Sequence, residues 1–383
     1  MPSLFPLKRE GVFIYHICVY AIAKNESRFV DRFMDSVAEA DSVCVLDTGS
    51  TDDTVERLRA HGAIVAQQDI SPWRFDAARN ESMKLIPEEA DICCCVDLDE
   101  QFRPGWRAAL EKAWTDEATR ARYRYTWSFL PDGGEGHVFW PEKIHKNGVY
   151  RWKHPVHEVL EYTGALREHV ITVPGLQLDH HPDQTKSRGQ YLPLLELAVA
   201  EAPEDDRNMH YLGREYMYHG DWEKAIATLK RHLSLPRATW ADERCASMRF
   251  IGLCYRQLGR DGLAAVWFHR AIAEAPHLRE PYVDYAALLY DNQNWPGLVY
   301  MASCALAIAE RPATYITEAY AWGALPWDYL SIGLWRLGQA EGAAAAARKA
   351  LEFAPQDARI KNNLAIFERP LYNSPGNSPN TQE

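Results

Sequence analysis

"CCCVDLDEQF", residues 93–102, passes from an apolar run into three carboxylates, Asp97, Asp99 and Glu100. On an extended strand Asp97 and Asp99 lie two positions apart, so their side chains project to the same side of the backbone. Paired acids at a strand end are a common place for a divalent cation, which prefers oxygen ligands. The alternative is a solvated turn after a buried strand, because acids at strand ends are ordinary.

The composition is that of a globular protein without a general nucleic-acid surface. The chain has 383 residues, of which 47% are hydrophobic and 25% charged, and this length predicts about two or three domains. The formal net charge of -11 argues against a protein that binds nucleic acid through a basic surface, because phosphate binding needs clustered cations. A local cationic pocket is compatible with this charge.

The cysteines and apolar runs indicate a cytoplasmic protein. The eight cysteines show no paired metal-ligand spacing, and the adjacent Cys93, Cys94 and Cys95 face alternate ways and do not bridge easily. We expect them to be buried thiols in a reducing compartment. The longest early apolar stretch, residues 12–23, is too short to span a bilayer and precedes no cleavage pattern. We therefore expect no transmembrane segment.

The first half of the chain alternates β-rich and helical segments, which predicts an α/β layer with a largely parallel sheet. We predict strands at residues 12–23, 41–49, 63–69 and 90–99. Helical segments lie between them, and Gly62 and Pro87 follow two of these segments as stop signals. From residue 123 to 175 apolar residues recur with a period near two, which favours antiparallel strands or hairpins.

From residue 191 onward the chain reads as helices, and a pattern of small, aromatic and proline residues repeats. Gly213, Tyr216, Gly220, Ala225 and Pro236 recur as Gly252, Tyr255, Gly259, Ala264 and Pro276. A third copy, ending at Pro312, is blurred, and a fourth ends at Pro355. The pattern resembles the tetratricopeptide repeat, whose helix pairs stack closely through small residues. We expect four stacked helical hairpins, the alternative being an irregular helical domain.

Polar residues follow several predicted strands at what should be one edge of the sheet. Lys24, Asn25 and Glu26 follow the first strand and Asp47 ends the second, while Arg79 lies on the helical region of residues 74–83. The carboxyl ends of parallel strands face one crevice in an open α/β sheet. We therefore expect Asp47 and Asp99 to share a ligand.

The combination of "LDTGSTDDT", residues 46–54, with "DLDE", residues 97–100, resembles family 2 glycosyltransferases of the GT-A type. The resemblance implies that Asp47 contacts the uridine of a nucleotide sugar and that Asp97 lies near ribose or sugar. It implies that Asp99 binds Mn²⁺ or Mg²⁺, which bridges the diphosphate. It also places the Lys24–Asn25–Glu26 segment at the base and ribose.

Several residues near the site have two interpretations. Arg79 pairs with a phosphate or a sugar hydroxyl, or forms a surface salt bridge. Relatives that also carry helical repeats have a His-Glu pair and a later histidine. That resemblance implies that Glu158 is the general base, and the alternative is that Glu158 forms a structural ion pair with a cation. In that case Asp179 is the next candidate for the base. It makes His180 a metal ligand, with His181 as the fallback.

Two further cations follow these histidines. Lys186 and Arg188 touch the diphosphate or start the first helix.

The fold class we predict is α/β, with a GT-A-type nucleotide-sugar-binding domain at residues 1–190. An all-α, tetratricopeptide-like domain follows at residues 191–367, and a disordered polar tail at residues 368–383.

The resemblance implies a metal-dependent, inverting glycosyltransferase with a nucleotide-diphospho-sugar donor, for which a UDP-sugar is favoured. The acceptor is open between a peptide or protein and a glycan bound near the repeats, and a homodimer is also open. The competing hypothesis is a non-catalytic interaction scaffold with a vestigial nucleotide-sugar-binding domain. A nucleotidyltransferase ranks third, because no Gly-rich phosphate loop is present.

Overall fold

The computed structural model describes residues 7–9, 12–130, 133–183 and 189–369. The predicted roles of Lys186 and Arg188, and nearly all of the predicted tail, lie outside the described residues. The chain divides into two compact units. The first comprises residues 1–239 with 313–316, and the second comprises residues 240–312 with 317–383.

The first unit is built on strands, with helices along both faces of its main sheet. The strands are β1 (Leu7–Arg9), β2 (Val12–Ile14), β3 (Ile17–Ala23), β4 (Ser42–Asp47), β5 (Ile64–Gln67), β6 (Ile92–Cys95), β7 (Glu100–Phe102), β8 (Arg120–Thr126), β9 (Val138–Phe139), β10 (Ile144–Lys146), β11 (Tyr150–Lys153), β12 (Val159–Tyr162) and β13 (Val170–His180). The helices are α1 (Val30–Ser36), α2 (Thr54–Ala60), α3 (Phe75–Met83), α4 (Trp106–Ala113), α5 (Tyr191–Glu201), α6 (Asp206–Tyr218) and α7 (Trp222–Ser234).

The main sheet runs in the order β5-β4-β3-β6-β10-β8-β13-β7, and β9 pairs with β8. The predicted parallel half is confirmed, because β5, β4, β3 and β6 are mutually parallel. The predicted antiparallel half is only partly confirmed. β8 pairs antiparallel with β9 and β10, and β11 with β12, but β13 runs parallel to β8.

The position of strand β6 explains why its three adjacent cysteines show no alternation of apolar and polar residues. Cys94 faces a core layer with Val19, whereas Cys93 and Cys95 face the other layer with Tyr20. All three cysteines are buried. A central parallel strand covered on both faces reads as a continuous apolar run. The alternation of side chains therefore divides this run between two cores.

A buried histidine lies between the sheet and the β11–β12 hairpin. His145 Nε2 is 2.8 Å from the hydroxyl of Tyr20, which also accepts a hydrogen bond of 2.9 Å from Trp152 Nε1. His145 Nδ1 lies 3.0 Å from the carbonyl oxygen of Lys146. Burial lowers the pKa of His145 to about 4, so the ring is neutral at pH 7.

We expect this histidine to make the free energy of unfolding depend on pH. Between about pH 6.5 and pH 4 the unfolded chain protonates His145 and the folded chain does not, so stability falls as the pH falls through that window. The loss reaches about 3 kcal/mol. Urea denaturation at pH 7.5 and 4.5 should show a smaller difference for His145→Gln than for wild type. The exposed His16→Gln is the control, and equal differences in all three proteins would contradict this assignment.

The second half of the chain is helical from Tyr191, as predicted. The second unit contains α8 (Ala241–Gln257), α9 (Asp261–Glu274), α10 (Glu280–Asp291), α11 (Trp295–Ala307), α12 (Ala319–Trp322), α13 (Ala324–Arg336), α14 (Ala340–Phe353) and α15 (Ala358–Phe367). The predicted domain boundary at residue 190 marks the start of the helices, whereas the compact units part after Thr239. In the described part of the chain, no helix combines the length and the apolar character needed to cross a membrane.

The four predicted hairpins are α6–α7, α8–α9, α10–α11 and α13–α14. Close packing explains two of the repeated glycines. A Cβ at Gly213 would lie 2.5 Å from Leu229 Cγ, and one at Gly252 would lie 2.7 Å from Phe268 Cε1. These separations are too short for real atoms, so only glycine lets the two helices approach this closely. The second half therefore forms tetratricopeptide-like hairpins.

The third repeat differs at the residue that ends its first helix. Gly220, Gly259 and Gly338 occupy this position in the other copies, with φ between 67° and 78°. The third copy has Gln293 there, with φ 54°. A left-handed conformation costs a residue with a Cβ roughly 1–2 kcal/mol. The sequence repeat is blurred here although the backbone turn is kept.

We expect Gln293→Gly to raise the free energy of unfolding by about 1 kcal/mol, because it relieves this conformation at some cost in chain entropy. Chemical denaturation of the full chain measures the change. Gly259→Gln is the mirror-image control and should destabilise. A Gln293→Gly variant no more stable than wild type would refute the assignment.

Residues 318–322 lie against the first helices of two repeats in the second unit. Arg249, 1% exposed, pairs with Asp284 at 2.7 Å and with Glu318 at 3.0 Å. Tyr320 donates a hydrogen bond of 2.6 Å to Asp284, and Trp322 Nε1 donates one of 2.9 Å to Glu280. The chain therefore covers this polar face of α8 and α10 with its own residues.

Candidate active site

The loops after β3 and β4 bind each other at the carboxyl edge of the sheet. Asn25 has a φ of 55°. Its side-chain oxygen accepts a hydrogen bond of 2.7 Å from the Thr51 backbone amide, and its backbone amide donates one of 2.8 Å to Ser50 Oγ. Asparagine tolerates this left-handed conformation better than most residues. The Glu26 amide donates to Thr54 Oγ1 at 2.9 Å. The Lys24–Asn25–Glu26 segment, which is predicted to bind the nucleobase, is therefore a loop held in place by hydrogen bonds to the loop after β4.

Asp47 lies beneath these loops rather than at their surface. It is fully buried, and its carboxylate accepts hydrogen bonds from the amides of Gly49 and Ser50 at 3.2 and 3.0 Å and from the Ser50 hydroxyl. Lys24 and Asn25 are exposed above it. Asp47 therefore holds the shape of the loop that Lys24 and Asn25 present to solvent.

The acidic segment after β6 is a turn, which corrects the geometry predicted for it. β6 ends at Cys95, and the Glu100 amide donates to the Asp97 carbonyl oxygen at 2.9 Å. Asp97 and Asp99 therefore do not share one side of an extended backbone, and they have different partners. The backbone turns here because β7 must begin at Glu100 to pair with the end of β13, where His180 lies opposite Glu100.

Arg79 joins the acidic turn, residues 97–100, to Glu158, the predicted general base. Its Nη1 and Nη2 donate to the two carboxylate oxygens of Asp97 at 2.8 and 3.1 Å, and its Nε donates to Glu158. Arg79 is 5% exposed, and its guanidinium lies over the ring of Trp152 at 5.2 Å. Of the two interpretations of Arg79, the surface salt bridge is wrong, because the guanidinium is buried. The guanidinium is engaged by protein carboxylates and is not open to a phosphate.

Lys143 is a site residue that the sequence did not indicate. Its ammonium lies 3.4 Å from Asp97 and 3.3 Å from Glu100, and the hydroxyl of Tyr125 donates to Glu100 at 2.6 Å. A single lysine before a short strand carries no motif. Only the pairing of β10 with β6 brings it to the acidic turn.

The cations Arg79 and Lys143 influence the protonation of the two neighbouring carboxyl groups, Asp97 and Glu100. Burial raises the pKa of Asp97, but Arg79 and then Lys143 outweigh burial and hold that pKa well below its usual range. Burial raises the pKa of Glu100, against the ammonium of Lys143. The buried Arg79 and the half-buried Lys143 therefore keep Asp97 ionised.

Asp99 has a different partner, His180. Their Oδ2 and Nε2 atoms are 3.5 Å apart. His180 Nδ1 is 3.0 Å from the carbonyl oxygen of Trp127, which only accepts, so Nδ1 carries a proton and Nε2 faces Asp99. Burial lowers the pKa of His180, but the hydrogen bond and charge of Asp99 raise it above its usual value.

The Asp99–His180 pair fits a divalent cation in part. Two bonds of about 2.1 Å from one ion reach two ligand atoms at this separation, and an Nδ1–H bonded to a carbonyl is the usual support of a ligating histidine. Among the described residues, no group of three or more His, Cys, Asp or Glu side chains is placed to hold a metal ion. A cation here would therefore complete its coordination with substrate oxygens and water.

His181 and Asp179, the two fallback residues, lie elsewhere. The ring of His181 stacks on Phe129 at 5.2 Å, and its amide, not its ring, bonds to the Asp99 backbone. Asp179 pairs with Arg103 at 2.8 Å and lies opposite Gln101, one residue out of register with His180. Successive strand residues face opposite sides. Asp179 therefore points away from the side that His180 faces.

Glu158 follows a loop that rests on the first helices of the second half. His154 and His157 have φ of 80° and 50°. His154 Nδ1 is 2.9 Å from Asn208 Nδ2, and Arg207 donates to the His157 carbonyl oxygen at 2.6 Å. These contacts with α6 hold two left-handed residues in place. The side chain of Glu158, 11% exposed, is directed to Arg79.

The family model described as "Glycosyl transferase family 2" matches residues 18–171. The matched range contains the loops after β3 and β4, Arg79, the acidic turn and Glu158. His180 and the helical repeats lie beyond it.

Solved structures of helical proteins resemble less than half of the chain. The APC/C hetero-tetramer Cut9-Hcn1 is 15% identical with a TM-score of 0.37, over 46% of this chain and 32% of that chain. MamA is 17% identical with a TM-score of 0.36, over 44% of this chain and 89% of that chain. The C-terminal part of a TPR repeat-containing protein from Cytophaga hutchinsonii is 16% identical with a TM-score of 0.38, over 46% and 64%.

Proposed function

Residues 18–171 form a domain of glycosyltransferase family 2, and from this premise we propose that the protein transfers a sugar from a nucleotide-diphospho donor to an acceptor. We propose a UDP-sugar as the donor and an inverting, metal-dependent reaction. The observation that carries the proposal is the pair of ion pairs by which the buried Arg79 links Asp97 to Glu158. It fixes a carboxylate beside the acidic turn at the carboxyl edge of the sheet.

The nucleoside is proposed to bind at the loops after β3 and β4. Lys24 and Asn25 are exposed there and offer a cation and an amide donor, whereas the Asn25 side-chain oxygen already accepts from Thr51. Glu26 and Asp47 lie buried behind them. We assign these two acids to the support of the loop, where Asp47 holds the amides of Gly49 and Ser50.

Asp99 and His180 would hold Mn²⁺ or Mg²⁺. When bound, such a cation neutralises the charge that builds on the departing diphosphate. Asp97 is held by Arg79 and Lys143 and so serves to position the turn, with Asp99 left free to face His180. This assignment replaces the contact with ribose or sugar that the resemblance implied for Asp97.

Glu158 is the proposed general base. The acceptor oxygen forms a bond to the anomeric carbon while the bond from that carbon to the diphosphate breaks. The bonding electrons leave with UDP, and Glu158 takes the acceptor proton. A positioned base of this kind contributes about 10²- to 10⁴-fold in rate. Arg79 keeps the Glu158 carboxylate in place and is a positioning residue.

The repeats are proposed to support the site, and the acceptor is a peptide, a protein or a glycan. Residues 318–322 already cover the polar face of α8 and α10 around Arg249, which disfavours that face as the acceptor groove. The homodimer stays a prediction. The scaffold hypothesis is not favoured, because the family match includes the acidic turn and Glu158.

The test is UDP release by the purified full chain from UDP-glucose and UDP-N-acetylglucosamine, with and without Mn²⁺. We expect release with Mn²⁺ that stops on adding EDTA and returns when Mn²⁺ is restored. Calorimetric binding of UDP without release from any UDP-sugar would support a sugar-nucleotide-binding scaffold and overturn the transferase proposal.

A further inference from the structure

A pair of aromatic rings lies beside the candidate metal ligand. We define the aromatic platform as Trp127 and Phe129. The ring of Trp127 stacks on His180 at 4.3 Å with an interplanar angle of 27°, and that of Phe129 stacks on His181 at 5.2 Å and 3°. Each ring of the platform therefore covers one of two adjacent histidines at the end of β13.

The platform is the exposed end of an aromatic row. Alternate residues from β8 onward share one side of the chain, and Tyr123 and Tyr125 are 1% and 3% exposed, whereas Trp127 is 48% exposed. Pairing continues past the strand, since the Trp127 amide donates to the His137 carbonyl oxygen at 2.8 Å. The ring of Trp127 is thus held firmly and is still half open to solvent.

A single exposed apolar ring is common on protein surfaces. This ring is different because its own carbonyl oxygen fixes His180 Nδ1 at 3.0 Å, and His180 Nε2 is 3.5 Å from Asp99. A molecule resting on Trp127 would therefore have a fixed position relative to the proposed donor site. Such placement is what transfer between two substrates requires.

We propose that the aromatic platform is the acceptor subsite and that it takes the face of a sugar ring, an inference that rests on the proposed function. The faces of aromatic rings carry partial negative charge. The C–H bonds of a sugar carry partial positive charge, because their carbons bear oxygens, so the two faces attract each other. The carboxylate of Asp99 and the net charge of -11 disfavour an anionic acceptor.

A peptide acceptor fits this position less well. An extended peptide gains most of its affinity from backbone hydrogen bonds to an open strand edge. The segment that pairs with the platform, residues 135–139, is short, and only alternate residues of a strand direct backbone groups to its outer edge, so it offers few backbone partners. The structure therefore favours a glycan among the acceptor classes left open by the sequence.

Fluorine NMR of the full chain labelled with 5-fluorotryptophan tests binding directly. The chain has 13 tryptophans, and the resonance missing from Trp127→Phe identifies Trp127. Titration with methyl β-D-glucopyranoside, methyl N-acetyl-β-D-glucosaminide and cellobiose, with UDP and Mn²⁺ present, should shift this resonance saturably for at least one sugar. The neutral peptide Gly-Ser-Thr-Gly is the comparison ligand. A shift with the peptide and none with the sugars would overturn the sugar assignment.

Kinetics separate an acceptor subsite from support of His180. For a sugar that stimulates UDP release, we expect Trp127→Ala to raise its KM by about tenfold, the effect of losing one good stacking contact, and to lower kcat by much less. Trp127→Phe should recover part of the KM. The matched control is Trp240→Ala, which removes another tryptophan that is 40% exposed and should change neither constant.

Two further results would overturn the proposal that the aromatic platform is the acceptor subsite. One is an equal fall of sugar-stimulated and sugar-independent UDP release in Trp127→Ala, which would mean that the ring only supports His180. The other is a Trp127 resonance that no sugar moves. If wild type releases no UDP at all, the transferase proposal fails, and the NMR titration still decides whether the platform binds a sugar.

Discussion

Asp99→Asn should lower Mn²⁺-dependent UDP release by more than about 100-fold. Loss of an outer partner of a metal ligand already costs about 10–100-fold in metal affinity or activity, and a direct ligand should cost more. The side chain of Asp99 is 20% exposed and its only described side-chain ion-pair partner is His180, so asparagine fits without burying an unpaired charge. The melting temperature should therefore change little, and the rate is measured at several Mn²⁺ concentrations.

The matched control is Asp116→Asn, an exposed aspartate of the same unit, which should leave the rate unchanged. His180→Gln should share the loss of Mn²⁺ affinity, since the two residues are proposed to hold one ion. Wild-type turnover of Asp99→Asn in EDTA-treated, Mn²⁺-supplemented assays would exclude the metal assignment.

Glu158→Gln should lower the single-turnover transfer rate by about 10²- to 10⁴-fold, the range for a positioned base. Glutamine cannot take the acceptor proton, but its amide oxygen still accepts a hydrogen bond from Arg79 Nε. Arg79 also keeps its two bonds to Asp97. UDP affinity should therefore be nearly unchanged. Rate, UDP affinity and melting temperature are measured on one preparation.

The matched control for Glu158 is Glu161→Gln on β12, whose carboxylate pairs with Arg151 and Lys153 at the surface. It should alter none of the three measurements. If Glu158 only stabilises Arg79, Glu158→Gln should lower the melting temperature while the rate falls less than about tenfold. That outcome would remove Glu158 from the chemistry.

The sequence predicted the parts of the fold that local patterns encode. Strand β6 and the parallel strands beside it follow from apolar runs bounded by turn signals, and the start of the helices at Tyr191 follows from a change of period. The clustering of the loops after β3 and β4 followed from a general property of parallel sheets. Each of these inferences used residues close together in the chain.

What the sequence did not predict depends on pairing between distant segments. The acidic turn looked like a strand, because nothing near Asp97 shows that β13 pairs with β7 and forces the chain to turn. Neither interpretation of Arg79 included its two carboxylate partners, because Asp97 and Glu158 lie 18 and 79 positions away in the sequence. Lys143 carries no motif at all. Buried ion pairs across elements have no local sequence signal.

The loop that precedes Glu158 rests on α6 through His154, His157, Asn208 and Arg207. The family 2 match ends at residue 171. Joining the chain at that point to a different helical domain would remove these contacts. A gene fusion that joined the first 190 residues to another helical array would inherit Glu158 without the side chains that shape its loop. A substitution of Arg207 or Asn208 in α6 is therefore expected to disturb the loop that carries the proposed general base.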